Sequence, residues 1–498
     1  MHELKVKKIV NNLANPGESL FQRVAKGGVW VFALRITERA FSLIRLIILA
    51  RILAPHDFGL MGIALLTMAT LETFSQTGFE AALIQKKDNV DAYLDAAWTV
   101  LILRSFIIFA VLFFIAPYAA IFFKASQAKP IIQVIGLSVL FQAFANIGVI
   151  YFKKDLEFNK QFLYQLSGTL ADFIVAVSAA LVLRSAWALV FGLLAGNVAR
   201  FIGSYLIHPY RPHFTSDLRK AKELFGFGKW VLGSSILIFL ITQGDDIFVG
   251  KLLGVTALGF YQIAYRISNM PATEVTHVVS QVAFPAYSKL QDNLPKLRGA
   301  YLRTLQLTAF ISIPLAGMIF ILAPEFTEIF LTQKWMPMVP AMQTLVLAGL
   351  TRSIAATTGP IFHGVGKPQI DTRWQIIRFS VLAVLIYPFT ARWGIWGASM
   401  SVLSSILLST IGFSFAVIKI TKCGMKDFGK RIVLPLISGI TMVSFILVLK
   451  AGVNGVGIWE FLLFVTGGVL IYLSVIHLFD RFFDYGMGRL IKECLTSF

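Results

Sequence analysis

The sequence predicts an all-α polytopic membrane protein. It reads as about 14 transmembrane helices, in two pseudo-symmetric six-helix bundles plus a C-terminal helix pair. Three observations predict this. Hydrophobic residues make up 57% of the chain and charged residues 14%, against about 25% charge in a soluble domain; the mean hydropathy is +0.74. Apolar runs of about 20 residues, enough for one crossing, recur from end to end. They are continuous rather than alternating, which argues against a transmembrane barrel. Basic residues, finally, alternate between rich and poor loops along the whole chain.

Taken in order, residues 1–26 form a basic cytoplasmic lead-in without a signal-peptide pattern. The first bundle, 27–208, holds spans near Val29–Ala50, Phe58–Ile84, Ala92–Ala116, Pro130–Phe152, Phe162–Leu183 and Ala186–Ile207. A polar cytoplasmic linker, 209–223, follows. The second bundle, 224–418, holds Leu224–Leu253, Ala257–Ser288, Leu302–Leu322, Pro337–Phe362, Ile370–Thr390 and Trp393–Ile418. The additional helix pair, 432–479, comprises Ile432–Leu449 and Ile458–Leu478, and 480–498 is a cytoplasmic tail.

Loops expected on the N-terminal side carry Lys86 and Lys87, then Lys153, Lys154 and Lys160, then Arg219, Lys220 and Lys222. Farther on they carry Lys289, Lys296, Arg298 and a cluster from Lys419 to Arg431. The opposite loops hold little more than Arg51, Lys124, Lys129, Arg184, Lys251 and Lys334. A missed span would invert this pattern downstream, so the alternation places both termini in the cytoplasm. The net charge of +19 is thereby accounted for and is no sign of nucleic-acid binding.

The first span is unusual for its charge. At 100° per residue, Arg35, Glu38, Arg39, Ser42 and Arg45 share one helix face. One charge at the bilayer centre costs at least ~2.5 kcal/mol, so this face must look into protein or a wet cavity. Three inward arginines suit an anionic ligand; internal pairing with Glu38 is the plainer alternative. Shifted by 200 residues, Gly28 falls on Gly228, Trp30 on Trp230, Leu53 on Leu253, Gly59 on Gly259 and Ala64 on Ala264. An even helix count per copy makes such repeats parallel. Arg45 then corresponds to Asp245, which Asp246 follows, so the second copy's leading helix is acidic towards its outer end. Pairing of the two faces across a central cleft is one reading, and a local bond to Lys251 the other.

Arg104, Arg200, Arg266, Arg352 and Arg378 also lie within spans, as do Glu72, Glu80, Asp172 and Glu274. Intramembrane charge is expensive enough to mark each as a functional candidate. Arg200 and Arg378, near span ends, can instead snorkel. Asp172 has no cation on its own helix, which suits a protonation site or a hydrogen bond to a neighbour. Pro271, Pro285, Pro314 and Pro388 lie in or near spans and bend helices.

Phosphate-loop, HExxH and GxSxG patterns are absent. Cys423 and Cys494 are far apart and read as free. No enzyme activity, cofactor or metal is expected.

The segment RLIILARILAPHDFGLMGIALLTMATLETFSQTGFEAALIQ, Arg45 to Gln85, resembles the opening of Wzx-type polysaccharide exporters, in the colanic acid exporter-like branch. FPAYSKLQDN, Phe284 to Asn293, is similar to a second recurrent segment of that branch. The resemblance implies the multidrug/oligosaccharidyl-lipid/polysaccharide exporter fold and a bacterial inner-membrane location. It implies transfer of an undecaprenyl-diphosphate-linked oligosaccharide to the periplasmic leaflet by alternating access, coupled to H+ or Na+. Membrane lipids and other polysaccharide-assembly membrane proteins are the expected partners.

Charge and resemblance together nominate Arg35, Arg39, Arg45, Arg104 and Arg266 for the diphosphate and sugar. Glu38, Glu72, Asp172, Asp245 and Asp246 are nominated for ion coupling or gating. Lipid II flipping, cation or drug antiport on the same fold and a polytopic glycosyltransferase are the alternatives. A basic leading helix speaks against cation transport.

Overall fold

The computed structural model describes residues 20–85, 90–155, 157–216, 219–453, 455–483, 485–488 and 490. The described residues are almost wholly helical and contain no β-strand. Nine described helices are long and apolar enough to cross a membrane, ten if the bent pair Ala128–Phe144 and Ile147–Lys154 is one span. The long helices Leu20–Ile52, Arg219–Leu253 and Val255–Leu290 are outside that number, their apolar runs being interrupted by charged and polar side chains. The chain divides into two units, Met1–Phe239 and Leu240–Phe498.

In the first unit, α1 (Leu20–Ile52) turns at once into α2 (Pro55–Phe74). Pro55 sits at the start of α2, where its missing N–H costs nothing. Asp57 closes the turn, one carboxylate oxygen accepting from Ala54 N at 2.9 Å. Its other oxygen accepts from Ala186 N at 3.0 Å, which ties this turn to the one between α7 (Phe158–Leu183) and α8 (Trp187–Ile207). The DFG portion of the exporter-like segment is thus a structural clamp.

Two expected single spans are broken. Phe58–Ile84 ends at Phe74 and resumes as α3 (Phe79–Gln85) after Gly78, which adopts φ +68°. After α4 (Asp91–Phe122), Pro130–Phe152 divides into α5 (Ala128–Phe144) and α6 (Ile150–Lys154), bent by 71°. Asn146 sits in the break. Its side chain accepts from Gly148 N at 2.9 Å, and its own N–H donates to Ser204 Oγ at 2.8 Å. Buried amides freed by the break are thereby satisfied. The segment after α8 then lies back over α4, Tyr210 donating to Asp95 at 2.7 Å and Phe214 packing on Trp98.

A similar order of elements follows, its first helix crossing from the first unit into the second. α9 (Arg219–Leu253) turns through Gly254 into α10 (Val255–Leu290), so the 200-residue shift carries one hairpin turn onto the other. α11 (Leu294–Phe326) follows. The next span is again broken, into α12 (Val339–Ala355) and α13 (Gly359–Gly364). Pro368–Thr421, α14, is two helices joined at Gly394, where φ is +60° and ψ −140°. A Cβ at Gly397 would stand 2.0 Å from Phe389 O, so only glycine permits this approach. α15 (Met425–Ala451) and α16 (Ile458–Phe483) pack on α11. Lys450 pairs with Glu325 at 2.5 Å, Arg431 donates to Gln306, and Tyr472 donates to Phe310 O at 2.9 Å. Cys423 is a buried free thiol, whereas Cys494 lies outside the described residues.

Candidate functional site

On α1 the charged face is set into the protein. Arg35, Glu38, Arg39, Ser42 and Arg45 are half-buried, whereas Ile36 and Ile44 on the other side are about half exposed, at 54% and 48%. Apolar residues at that spacing suit lipid contact, and the charges avoid it. Arg45 Nη2 donates to Asp172 Oδ1 on α7 at 2.9 Å. Asp172 thus meets a cation from another helix, while Lys160, at the start of its own, pairs with Glu157 at 2.8 Å. A Cβ at Gly192 would lie 2.6 Å from Asp172 Oδ1, so that glycine lets α8 close over the carboxylate.

Arg104 donates to the Glu72 carbonyl oxygen at 2.8 Å and to the Ser75 hydroxyl at 3.2 Å, serving one backbone and one side-chain oxygen where α2 ends. Both residues line a cavity of about 360 Å³ within the first unit, with Gln142, Lys153, Gln161 and Gln165. Lys153 pairs with Glu80 at 2.6 Å in its wall. Arg200, read as able to snorkel, instead donates to Asn197 at 3.1 Å and lies across Gly168 with its Nε buried.

Within the second unit, Asp245 is 2% exposed and accepts from Tyr261 Oη at 2.6 Å. Asp246 beside it is half-buried, and Oδ1 of each carboxylate is buried without a partner. Arg266, on α10, is exposed. Arg352 Nη2 donates to Tyr265 Oη at 2.9 Å and the guanidinium lies 5.8 Å from that ring's centre. Arg352 and Arg378 line a second cavity, of about 550 Å³, with His363 and Asp371. Sequence reasoning singled out Arg352 and Arg378 as intramembrane charges but joined neither to a site. The signal available was their place on broken and kinked helices. Among the described residues, no cluster of His, Cys, Asp and Glu is arranged to hold a metal.

Residues 48–340, more than half the chain, match the family described as "Polysaccharide biosynthesis protein". The lipopolysaccharide biosynthesis protein WzxC of Escherichia coli is 24% identical over 80% of this chain and 82% of its own length. The succinoglycan biosynthesis transport protein ExoT of Rhizobium meliloti is 24% identical over 66% of this chain and 67% of its own. Among solved structures, lipid II flippase MurJ aligns over 91% of this chain and 99% of its own, with TM-score 0.76 and 15% identity. An inward-facing multidrug resistance transporter of the MATE family aligns over 77% and 95%, with TM-score 0.61 and 15% identity. Those two likenesses bear on the fold. By the sequence match, carried on that helical membrane fold, the chain belongs to the polysaccharide biosynthesis protein family.

Proposed function

We propose that this protein is a flippase for a polyprenyl-diphosphate-linked oligosaccharide, moving it from the cytoplasmic to the periplasmic leaflet of a bacterial inner membrane. One observation carries the reading: a membrane helix sets Arg35, Arg39 and Arg45 inward and turns Ile36 and Ile44 outward. A diphosphate cannot cross hydrocarbon unaided, and guanidinium groups hold it through charge-assisted, bidentate bonds. Relatives named for lipopolysaccharide biosynthesis and succinoglycan transport support this cargo class. Arg35, Arg39, Arg45, Arg104 and Arg266 are the proposed contacts. Glu38, Glu72, Asp172, Asp245 and Asp246 are proposed to couple ion movement or gate the path. The Arg45–Asp172 pair suits such a gate because either residue can exchange its partner for ligand or proton.

The same reading takes about 14 crossings and both termini in the cytoplasm, from the loop charges. The protein then performs no chemical step. The test is leaflet-resolved flipping of a defined lipid-linked oligosaccharide in proteoliposomes, with and without a proton or sodium gradient. Transfer that falls at least tenfold in Arg39→Ala supports the assignment. Undiminished transfer in Arg39→Ala and Arg266→Ala removes it. Lipid II as competing cargo is the second reading, motivated by the extent of the fold likeness; preference for lipid II in this assay would install it.

A further inference from the structure

Three residues, Lys422, Cys423 and Gly424, join α14 to α15. Cys423 is buried and anchors the turn. Beyond it the two helices part, because α15 packs on α11 and α16 rather than on α14. The wedge between them is a groove of about 250 Å³. Leu407, Ile411, Ser414 and Ile418 line it from α14, and Met425 and Phe428 from α15. Steps of four, three and four place the α14 residues on one helix face. Leu407, Ile411 and Met425 are exposed and Phe428 is buried, so the groove opens on the outside of the second unit.

This groove is mostly apolar along its length and basic at one end. Lys422 stands one turn past Ile418, Lys419 follows Ile418 directly, and Lys426 follows Met425. All three are exposed, and among the described residues none of them takes part in a salt bridge. Arg298 brings a further charge to the turn, its Nη1 lying 3.4 Å from the Lys422 carbonyl oxygen. Asp427 is folded back on Gly424, where a carboxylate suits the start of α15. Lys430 is held elsewhere, donating to Phe483 O at 2.6 Å. Lysines at this end of a span follow from orientation alone; the apolar wedge that runs up to these three does not.

We propose that the α14–α15 groove is a binding site for one anionic phospholipid. An acyl chain lies along the Leu407–Ile418 stripe, and Lys422 and Lys426 hold the headgroup phosphate with Lys419 beside them. Basic sites between membrane helices recognise anionic headgroups in this way. The stripe rises about 16 Å at 1.5 Å per residue, close to half of the ~30 Å hydrocarbon core. One leaflet's acyl chain fits that length, whereas a polyprenyl tail, several times longer, overruns it. The site is thus distinct from the cargo path. It rests on the proposed membrane orientation only in placing the headgroup in the cytoplasmic leaflet.

The test uses the purified, delipidated full chain in neutral detergent. Native mass spectrometry reads the binding of phosphatidylglycerol and of phosphatidylethanolamine. Phosphatidylglycerol should bind at least fivefold more tightly. The double variant Lys422→Gln/Lys426→Gln should lose that preference, while Lys289→Gln/Lys296→Gln, with the same loss of charge away from the groove, should keep it. Ser414→Phe fills the groove and leaves the lysines; it should weaken phosphatidylglycerol severalfold with an unchanged melting temperature. Equal binding of the two lipids, or equal loss in the two double variants, overturns the site. Displacement of phosphatidylglycerol by a lower concentration of polyprenyl phosphate also overturns it, in favour of a cargo contact. Arg39→Ala should bind phosphatidylglycerol as the natural protein does, so failure of the flippase reading in that variant leaves this site standing, and the reverse.

Discussion

Arg45 and Asp172 stand 127 residues apart in the chain and 2.9 Å apart in the structure. Both side chains are mostly shielded, at 19% and 24% exposure. The pair joins two helices far apart in the chain, α1 and α7. Arg45→Ala and Asp172→Ala should each lower the melting temperature in detergent, since each strands one member of the pair. The double variant should recover part of the loss, with a coupling energy of about 1–3 kcal/mol. Additive losses in that cycle would show that the pair contributes no stability.

Asp57 holds two turns with two oxygens. Asp57→Ala should cost about 1–2 kcal/mol, the range for losing a capping side chain. Asp57→Asn keeps one acceptor oxygen and should cost about half as much. Chemical denaturation of the purified protein reads the difference; equal stability of all three proteins would disprove the clamp.

Gly397 allows the two halves of α14 to meet. Gly397→Ala should cut the yield of folded protein sharply, because backbone rather than a movable side chain fills the space. Gly429→Ala, where a new Cβ meets nothing within 4 Å, is the control and should express normally. Fluorescence size-exclusion of the two variants side by side makes the comparison.

His208, just past the end of α8, has its pKa lowered below 6.5 by burial and then by the nearby Lys160. Its Nδ1 accepts from Tyr210 N at 3.1 Å. The unfolded chain therefore takes up this proton more readily than the folded one, and stability rises with pH across the interval. The contribution is complete above about 6.5, the unfolded value, and declines as pH falls through it towards the lower folded value. Melting temperatures from pH 7.5 down to pH 5 should drop more for the natural protein than for His208→Asn. Parallel curves would show that His208 does not titrate against folding.

The positions of the helices were legible because crossing a bilayer is a local demand: about 20 apolar residues. The hairpin turns at Leu53 and Leu253 were legible as a repeat for the same reason. The breaks at Asn146 and between Ala355 and Gly359 were not, since apolar sequence runs through both. Asn146 is satisfied from Ser204, on another helix, and such partners leave no periodic trace.

By itself the sequence determined a polytopic helical membrane protein, with a leading helix whose charges must avoid lipid. Hydropathy and angular spacing along one helix suffice for that. The tertiary structure alone decided that Asp172 answers Arg45, that Asp245 answers Tyr261, and that Arg352 and Arg378 share a hollow with His363 and Asp371. Which charges meet depends on how helices distant in the chain pack, and packing is a property of the whole fold.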